Sequence, residues 1–186
     1  MTASQELRTA RLLLRSLERE DIPAIVRLAG AREISSMTAQ IPHPYLEQDG
    51  QDFLARAAEE FRAGNSVSFA ICVAPDRELC GVVGLNITAA HQRAELGYWI
   101  GLPHWGRGYA TEAARAVLAF GFERLQLNRI YAFRFSENAA SGRVLEKIGM
   151  RHEGRTRQHI RKWERFIDLE NYGLLRSEFP GAGIQK

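Results

Sequence analysis

Two glycines spaced G-x-G, Gly106 and Gly108, lie between a strand-like run, Ala94-Glu95-Leu96-Gly97-Tyr98-Trp99-Ile100, and a helix-like run from Ala113 to Leu125. Glycine lets the backbone turn tightly and approach a ligand closely. The first amides of the following helix have no partners within it, and the helix dipole adds partial positive charge there. A strand, a glycine turn and a helix N-terminus in that order make an anion site, typically for phosphate. A Walker loop needs Lys-Ser/Thr after its last glycine, and Tyr109-Ala110 stands there. A dinucleotide fingerprint needs a third glycine, where the chain has Thr111. It also needs an acid about 20 residues on, where the chain reads Leu127-Asn128-Arg129-Ile130. A glycine turn opening an ordinary helix is the plainer alternative.

Other side chains carry chemistry around this loop. Glu95 sits on the strand that enters it, and strand alternation sets it on the face opposite its apolar neighbours Ala94 and Leu96. It is either a base facing a site or a surface acid paired with Arg93 or Arg134. Asn138, whose amide both donates and accepts, precedes a helix-like run with Val144, Leu145 and Ile148 on one face, so it is a candidate N-cap. Ser141 falls in that helix's first turn. Arg151, Arg155, Arg157, Arg161, Lys162 and Arg165 form a basic stretch, read as a solvated strand face, with docking on an acidic surface as the alternative.

The elements that must position these residues follow from periodicity. A first strand covers Thr9 to Leu17. Glu18 to Asp21 opens a helix with Ile22, Ile25, Val26 and Ala29 on its apolar face, stopped at Gly30. Ala31 to Leu46 is irregular, with Pro42 and Pro44 excluding helix interior, and is either a substrate loop or a plain connector. A helix from Leu46 to Ala63 buries Phe53, Ala57 and Phe61 and ends at Gly64. Ser66 to Val73 and Leu79 to Ile87 are antiparallel strands. Gly81 and Gly84 mark bulges or close backbone approaches. Arg129 to Phe135 is a strand. Two more, Met150 to Gln158 and Phe166 to Leu175, close the chain, and Pro180 to Lys186 is read as a frayed end. The order β-α-α-β-β-β-α-β-α-β-β predicts an α/β (α+β) fold, a mixed, mostly antiparallel sheet of about seven strands with helices on both faces.

Composition bounds the rest. The 186 residues suggest one domain, 1–186, with a sizeable core. No apolar run reaches membrane-spanning length, and the N-terminus lacks a charged-then-apolar signal, so a cytoplasmic protein without a membrane partner is expected. Cys72 and Cys80 read as free buried thiols, with a disulfide as the alternative, and no metal-ligand spacing occurs. The net charge of +3 suits an anionic cofactor and falls short of a nucleic-acid-binding signature.

Four segments together resemble one superfamily. They are Thr9-x-Arg11-Leu12-x-Leu14-Arg15; the run Ala94 to Ile100 with Trp105-Gly106-Arg107-Gly108-Tyr109-Ala110-Thr111-Glu112; Asn138-x-x-Ser141-x-x-Val144-Leu145-Glu146-Lys147-Ile148-Gly149-Met150; and Ile167 to Arg176. In this order and spacing the chain resembles the GCN5-related N-acetyltransferases (GNAT), in particular their RimJ/RimL-type branch. Gly108-Tyr109-Ala110 matches the end of that superfamily's pyrophosphate loop, Q/R-x-x-G-x-G/A, with Trp105 departing from the usual Gln or Arg. The resemblance implies the GNAT fold and direct transfer from acetyl-CoA, as cosubstrate, to an amine. The expected acceptor is the α-amine of a protein N-terminus. A small-molecule amine (a polyamine or an antibiotic) and a non-catalytic acetyl-CoA-binding module are the alternatives.

It further implies that Trp105, Gly106, Arg107, Gly108, Tyr109, Ala110 and Thr111 hold the pyrophosphate. The strand end Trp99-Ile100-Gly101 would pair with the pantetheine arm and offer an oxyanion donor. Asn138 would bind the same arm, Ser141 would face the CoA sulfur, and Glu95 would act as general base, with Tyr172 the second candidate donor to the thiolate; the plainer roles of these four are a helix cap, a solvated serine, a surface acid and a core tyrosine. A homodimer is compatible with the resemblance.

Overall fold

The computed structural model describes residues 6–180, so most of the tail read as frayed, 181–186, lies outside the described residues. Eight strands form one sheet: β1 Leu7–Arg8, β2 Leu12–Ser16, β3 Ser66–Val73, β4 Glu78–Thr88, β5 Arg93–Ile100, β6 Arg129–Phe135, β7 Arg151–Lys162 and β8 Arg165–Leu175. The first predicted strand is β2, and the eighth is the two-residue β1 ahead of it, which the periodicity did not mark and which pairs antiparallel with β2. The spatial order is β1-β2-β3-β4-β5-β6-β8-β7, and every pairing is antiparallel except β5 with β6. The helices are α1 Ile22–Ala29, α2 Arg32–Ser36, α3 Glu47–Ala63, α4 Tyr109–Ala119 and α5 Ala139–Lys147.

Strand alternation assigns the two faces. Leu12 and Leu14 join Phe69, Val83, Leu85 and Leu96 against α4 and α5, whose Val117, Leu118 and Leu145 are fully buried. Leu13 between them points to the other face, with Ala70, Cys72 and Leu79 against Ile25 and Leu28 of α1. Cys80 belongs to the first cluster and Cys72 to the second, and both thiols are free. α3 crosses α1 at Gly50, its fully buried position, where a Cβ would stand 3.2 Å from Ile22 and Val26 methyls.

Several boundaries differ from the periodicity. Residues 19–21 form a 3-10 turn before α1. The Asp21 carboxylate turns back to Arg15, accepting both guanidinium nitrogens at 2.7 Å, instead of capping the helix. The segment read as irregular contains the short helix α2. The helix after the glycine loop starts at Tyr109, four residues early, because Gly108 (φ +79°) ends the turn there, and its last turn, Phe120–Arg124, widens to a π-helix. Gly81 and Gly84 are close approaches: a Cβ on Gly84 would lie 2.6 Å from the Val67 carbonyl, and one on Gly81 would meet the Trp99 carbonyl. The bulge lies across from them, at Ile71/Cys72.

One feature of the topology positions the site. β5 pairs with β6 only over Arg93, Ala94 and Glu95. Beyond Glu95, β5 stays with β4 as far as Gly81↔Ile100, while β6 follows β8 through Phe135↔Leu169. Each strand is held by its own antiparallel partner, so the two diverge and the sheet opens.

Candidate active site

The opening holds a cavity of about 820 Å³. Residues 95–100 of β5 line one wall, and residues 133–135, Asn138 and Ser141 the other. Trp105, Gly106 and residues 108–111 close one end. Ile34, residues 37–42, Tyr45 and Phe53 close the far end.

The end formed by the glycine loop is held by several contacts. Gly106 and Gly108 have φ of +73° and +79°, the left-handed region that favours glycine. Trp105 is held by its indole, which donates to the Ile100 carbonyl at 2.6 Å. Tyr109 is buried beside His104 (centroids 6.5 Å) and under the Arg11 guanidinium (5.0 Å). Glu112, in the first turn of α4, accepts from Thr9 Oγ1 (2.7 Å), Arg11 N (2.9 Å) and Arg11 Nε (2.8 Å). Burial pushes its carboxyl up, but these hydrogen bonds outweigh burial and hold it below the ordinary carboxylate range. Arg11 also donates to the Arg107 carbonyl at 2.9 Å, tying the turn before β2 to the loop.

Two residues expected in this site stand differently. The Arg107 side chain does not line the cavity, and its carbonyl is the group engaged. The Gly101 amide is spent on the Cys80 carbonyl (2.8 Å), and a Cβ there would collide with Leu28, so Gly101 serves packing. With Gly101 turned toward β4, alternation sends the N–H and C=O of Tyr98 and the N–H of Ile100 into the opening, while the Ile100 carbonyl is engaged by the Trp105 indole. Trp99 is turned to the α1 side of the sheet and lines the cavity with its ring.

The other candidate side chains line the walls of the opening. Glu95 lines the cavity while Ala94 and Leu96 are buried on the opposite face. Among the described residues it makes no ion pair, with Arg93 and Arg134 both turned elsewhere: Arg93 stacks over Tyr131, and Arg134 donates to the Phe135 and Ser136 carbonyls. Desolvation raises its pKa. Across the cavity the Asn138 side chain accepts from the Ser141 amide at 3.0 Å, capping α5. The Ser141 hydroxyl shares a 2.8 Å hydrogen bond with Tyr98 Oη. Tyr98 is held up to about 12 by burial, against the opposing pull of the Ser141 hydrogen bond, so it stays protonated at neutral pH.

Tyr172, the second expected donor, does not line the cavity. It is 3% exposed in the core, edge-on to His152 and under the Arg134 guanidinium. β8 presents that side chain to the helix face of the sheet, and Tyr98 takes the place beside Ser141. Sequence reading missed the role of Tyr98 and of the Arg11–Glu112 tie. Alternation with Leu96 and Ile100 could have placed Tyr98 on the α5 side of the sheet, whereas nothing local links Arg11 to a helix 101 residues away.

At the far end, Glu33, Asp49 and Asp52 line the wall with Arg56 as the local counter-charge. Three residues of the basic stretch, which runs through β7 to the start of β8, have acidic partners. Arg151 pairs with Glu178 (2.9 Å), Arg155 with Glu170 (2.5 Å) and Arg165 with Glu137 (2.6 Å). Among the described residues no helix is long and apolar enough to cross a membrane.

The model of the acetyltransferase (GNAT) domain family matches residues 11–151. An uncharacterized N-acetyltransferase of Bacillus licheniformis, p20, is 32% identical over 178 residues, covering 95% of this chain and 99% of its own. Among solved structures, spermidine N-acetyltransferase from Vibrio cholerae in complex with CoA and spermine superposes with a TM-score of 0.79 at 26% identity, covering 91% of this chain and 98% of that one. Mycobacterium smegmatis RimJ in complex with CoA-disulfide reaches 0.84 at 24% identity, over 95% and 88%, a likeness of fold.

Proposed function

The chain belongs to the GNAT acetyltransferase family and is an acetyl-CoA-dependent N-acetyltransferase, and from that premise we propose direct transfer to the α-amine of a peptide or protein N-terminus. The observation that supports this is the divergence of β5 from β6 at Glu95, which puts a glycine loop, a strand edge and a carboxylate unpaired among the described residues around one cavity.

Acetyl-CoA supplies an activated acyl group with a pyrophosphate for the loop and a pseudo-peptide arm for the strand edge. The amides that open α4 would receive the pyrophosphate. The backbone N–H and C=O of Tyr98 and the N–H of Ile100 would pair with the arm and offer a donor to the thioester oxygen as charge develops on it. As the amine nitrogen bonds to the acyl carbon and the carbon–sulfur bond breaks, Glu95 takes the amine proton, directly or through one water. Ser141 donates toward the departing sulfur. Tyr98 holds the Ser141 hydroxyl in place and, at its raised pKa, is a hydrogen-bond donor and not a net source of protons.

A lone carboxylate is a modest base, which favours an α-amine, with a pKa of about 7.7–8.0, over a lysine side chain at about 10.4. The acidic far wall supports a second reading, a polyamine acceptor, because Glu33, Asp49 and Asp52 would attract further ammonium groups. Release of free CoA separates the readings. N-terminal peptides should be acetylated with the higher kcat/KM, and spermidine preferred over every peptide would replace the first reading with the second. No CoA release with any amine would leave a silent acetyl-CoA-binding module.

The Ser141 pair has its own test. Ser141→Ala should lower kcat roughly tenfold, the scale of one charge-assisted hydrogen bond, with CoA binding intact, since the α5 cap uses only the Ser141 backbone amide. Tyr98→Phe should cost less, and the double variant no more than Ser141→Ala, because the tyrosine acts through the serine. Asn138→Ala should instead lower stability by about 1 kcal/mol through the lost cap. Additive losses in kcat for the double variant would dissolve the pairing.

A further inference from the structure

The tip of the β7–β8 hairpin has a sequence its backbone disfavours. Lys162 pairs with Arg165, leaving a two-residue loop, Trp163-Glu164. Both residues have positive φ, +45° and +64°. That is the pattern of a type I′ turn, where Asn-Gly is the favoured pair. A bulky aromatic residue in the left-handed region is a genuine outlier, and such outliers persist only where surrounding contacts hold them.

The contacts here run to one place. The Trp163 ring lies 5.6 Å from the Arg32 guanidinium at the start of α2, 5.5 Å from Lys162 Nζ, and 6.3 Å from the His43 ring, tilted at 59°. Lys162 Nζ donates to the Ile41 carbonyl at 2.6 Å, and the same carbonyl accepts from Ser35 Oγ at 2.8 Å. Ile160, nearer the strand, packs with Phe133 and Phe135 of β6 and with Ala39. Thus α2, His43 and Ile41 are gripped by one hairpin tip. Between them lies the segment 37–42, which forms the far wall of the cavity and has no strand of its own to hold it.

We infer that Trp163 is a positioning residue for the acceptor: its ring, with Lys162, clasps the segment 37–43 to the hairpin and so fixes the wall against which the acceptor binds. This rests on the reading of the far end of the cavity as the acceptor end. The anion loop lies at the opposite end, so the clasp leaves cofactor binding alone. The left-handed backbone at residue 163 is tolerated because the ring it aims is used.

Trp163→Asn separates the clasp from a structural role. Asparagine tolerates the left-handed region, so the turn relaxes while the ring is lost. The acceptor KM should rise about tenfold, the combined size of two cation–π contacts at an exposed site, with kcat and the CoA Kd unchanged. Thermal stability should hold or rise. Backbone amides of residues 37–43 should exchange faster with deuterium, while those of residues 106–112 stay as in the wild type. Trp163→Phe should recover part of the acceptor affinity. An unchanged acceptor KM with unchanged exchange at residues 37–43 would overturn the proposal. So would a KM increase accompanied by a lower Tm and weaker CoA binding, which would mark general loosening. If the wild-type chain acetylates no amine, the functional reading fails, and the exchange measurement still decides whether the clasp exists.

Discussion

Glu95→Gln should lower turnover at neutral pH by about 10²–10⁴-fold, the usual contribution of a positioned general base. The carboxylate lines the cavity and is unpaired among the described residues, and glutamine keeps its size while removing its basicity. Desolvation raises the Glu95 pKa, so the acidic limb of the wild-type pH–rate profile should lie above the ordinary carboxylate value of about 4.3. The sign follows from the role. Below that raised value Glu95 is protonated and accepts nothing, so activity falls as pH falls. Above the acceptor's own pKa the free amine needs no base, and the gap between variant and wild type should close. At a given pH the loss should also be smaller for an α-amine than for a lysine-like amine.

Stability should move the other way. A carboxyl with a raised folded-state pKa contributes stability below its unfolded value and loses it as pH rises through the folded one. At neutral pH the wild type bears the cost of a desolvated charge, so the glutamine variant should unfold at an equal or higher temperature. Wild-type turnover with an unchanged profile would return Glu95 to a surface role and send the proton to solvent.

Gly108→Val should abolish the stabilisation that CoA gives the wild type. A ligand at 100 times its Kd adds about 2.7 kcal/mol. For a chain of this size that is roughly 5–10 °C in Tm, at about 2–4 °C per kcal/mol. The cause is conformational more than steric. A Cβ at Gly108 would meet only Arg11 Nη2, at an ordinary 3.5 Å, whereas φ of +79° is strongly disfavoured for a β-branched residue. The loop must leave that conformation, and the α4 amides lose their aim. Gly64→Val is the control. Gly64 has φ of +76° with open space around it, at the far end of α3. It should show a similar intrinsic strain penalty, of about 1–3 kcal/mol, and keep the CoA shift. Equal CoA shifts in the wild type and Gly108→Val would remove the loop from the cofactor site.

Much of this was legible along the chain, because the signals were local. Gly106 and Gly108 declare a left-handed turn before a helix, and Asn138 declares a cap, by residue type and spacing alone. The alternation of Ala94, Glu95 and Leu96 put the acid opposite two core residues, since side chains on a strand can face only two ways. The apolar runs set the element order, and the order restricted the sheet.

The tertiary structure decided what depends on partners distant in the chain. Where β5 leaves β6 is fixed by two other pairings, β4 with β5 and β6 with β8, neither visible in the sequence of β5 itself. That point of divergence sets which amides are free, and it removed Gly101 from the site by giving its N–H to Cys80. Tyr172 reads as a candidate donor until the strand order buries it against His152 and sets Tyr98, which the sequence did not mark, 2.8 Å from Ser141. Nothing along the chain singles out Trp163. Only the packing of the hairpin tip on Arg32, His43 and Ile41 gives it a task, because contacts across 120 residues or more leave no periodic trace.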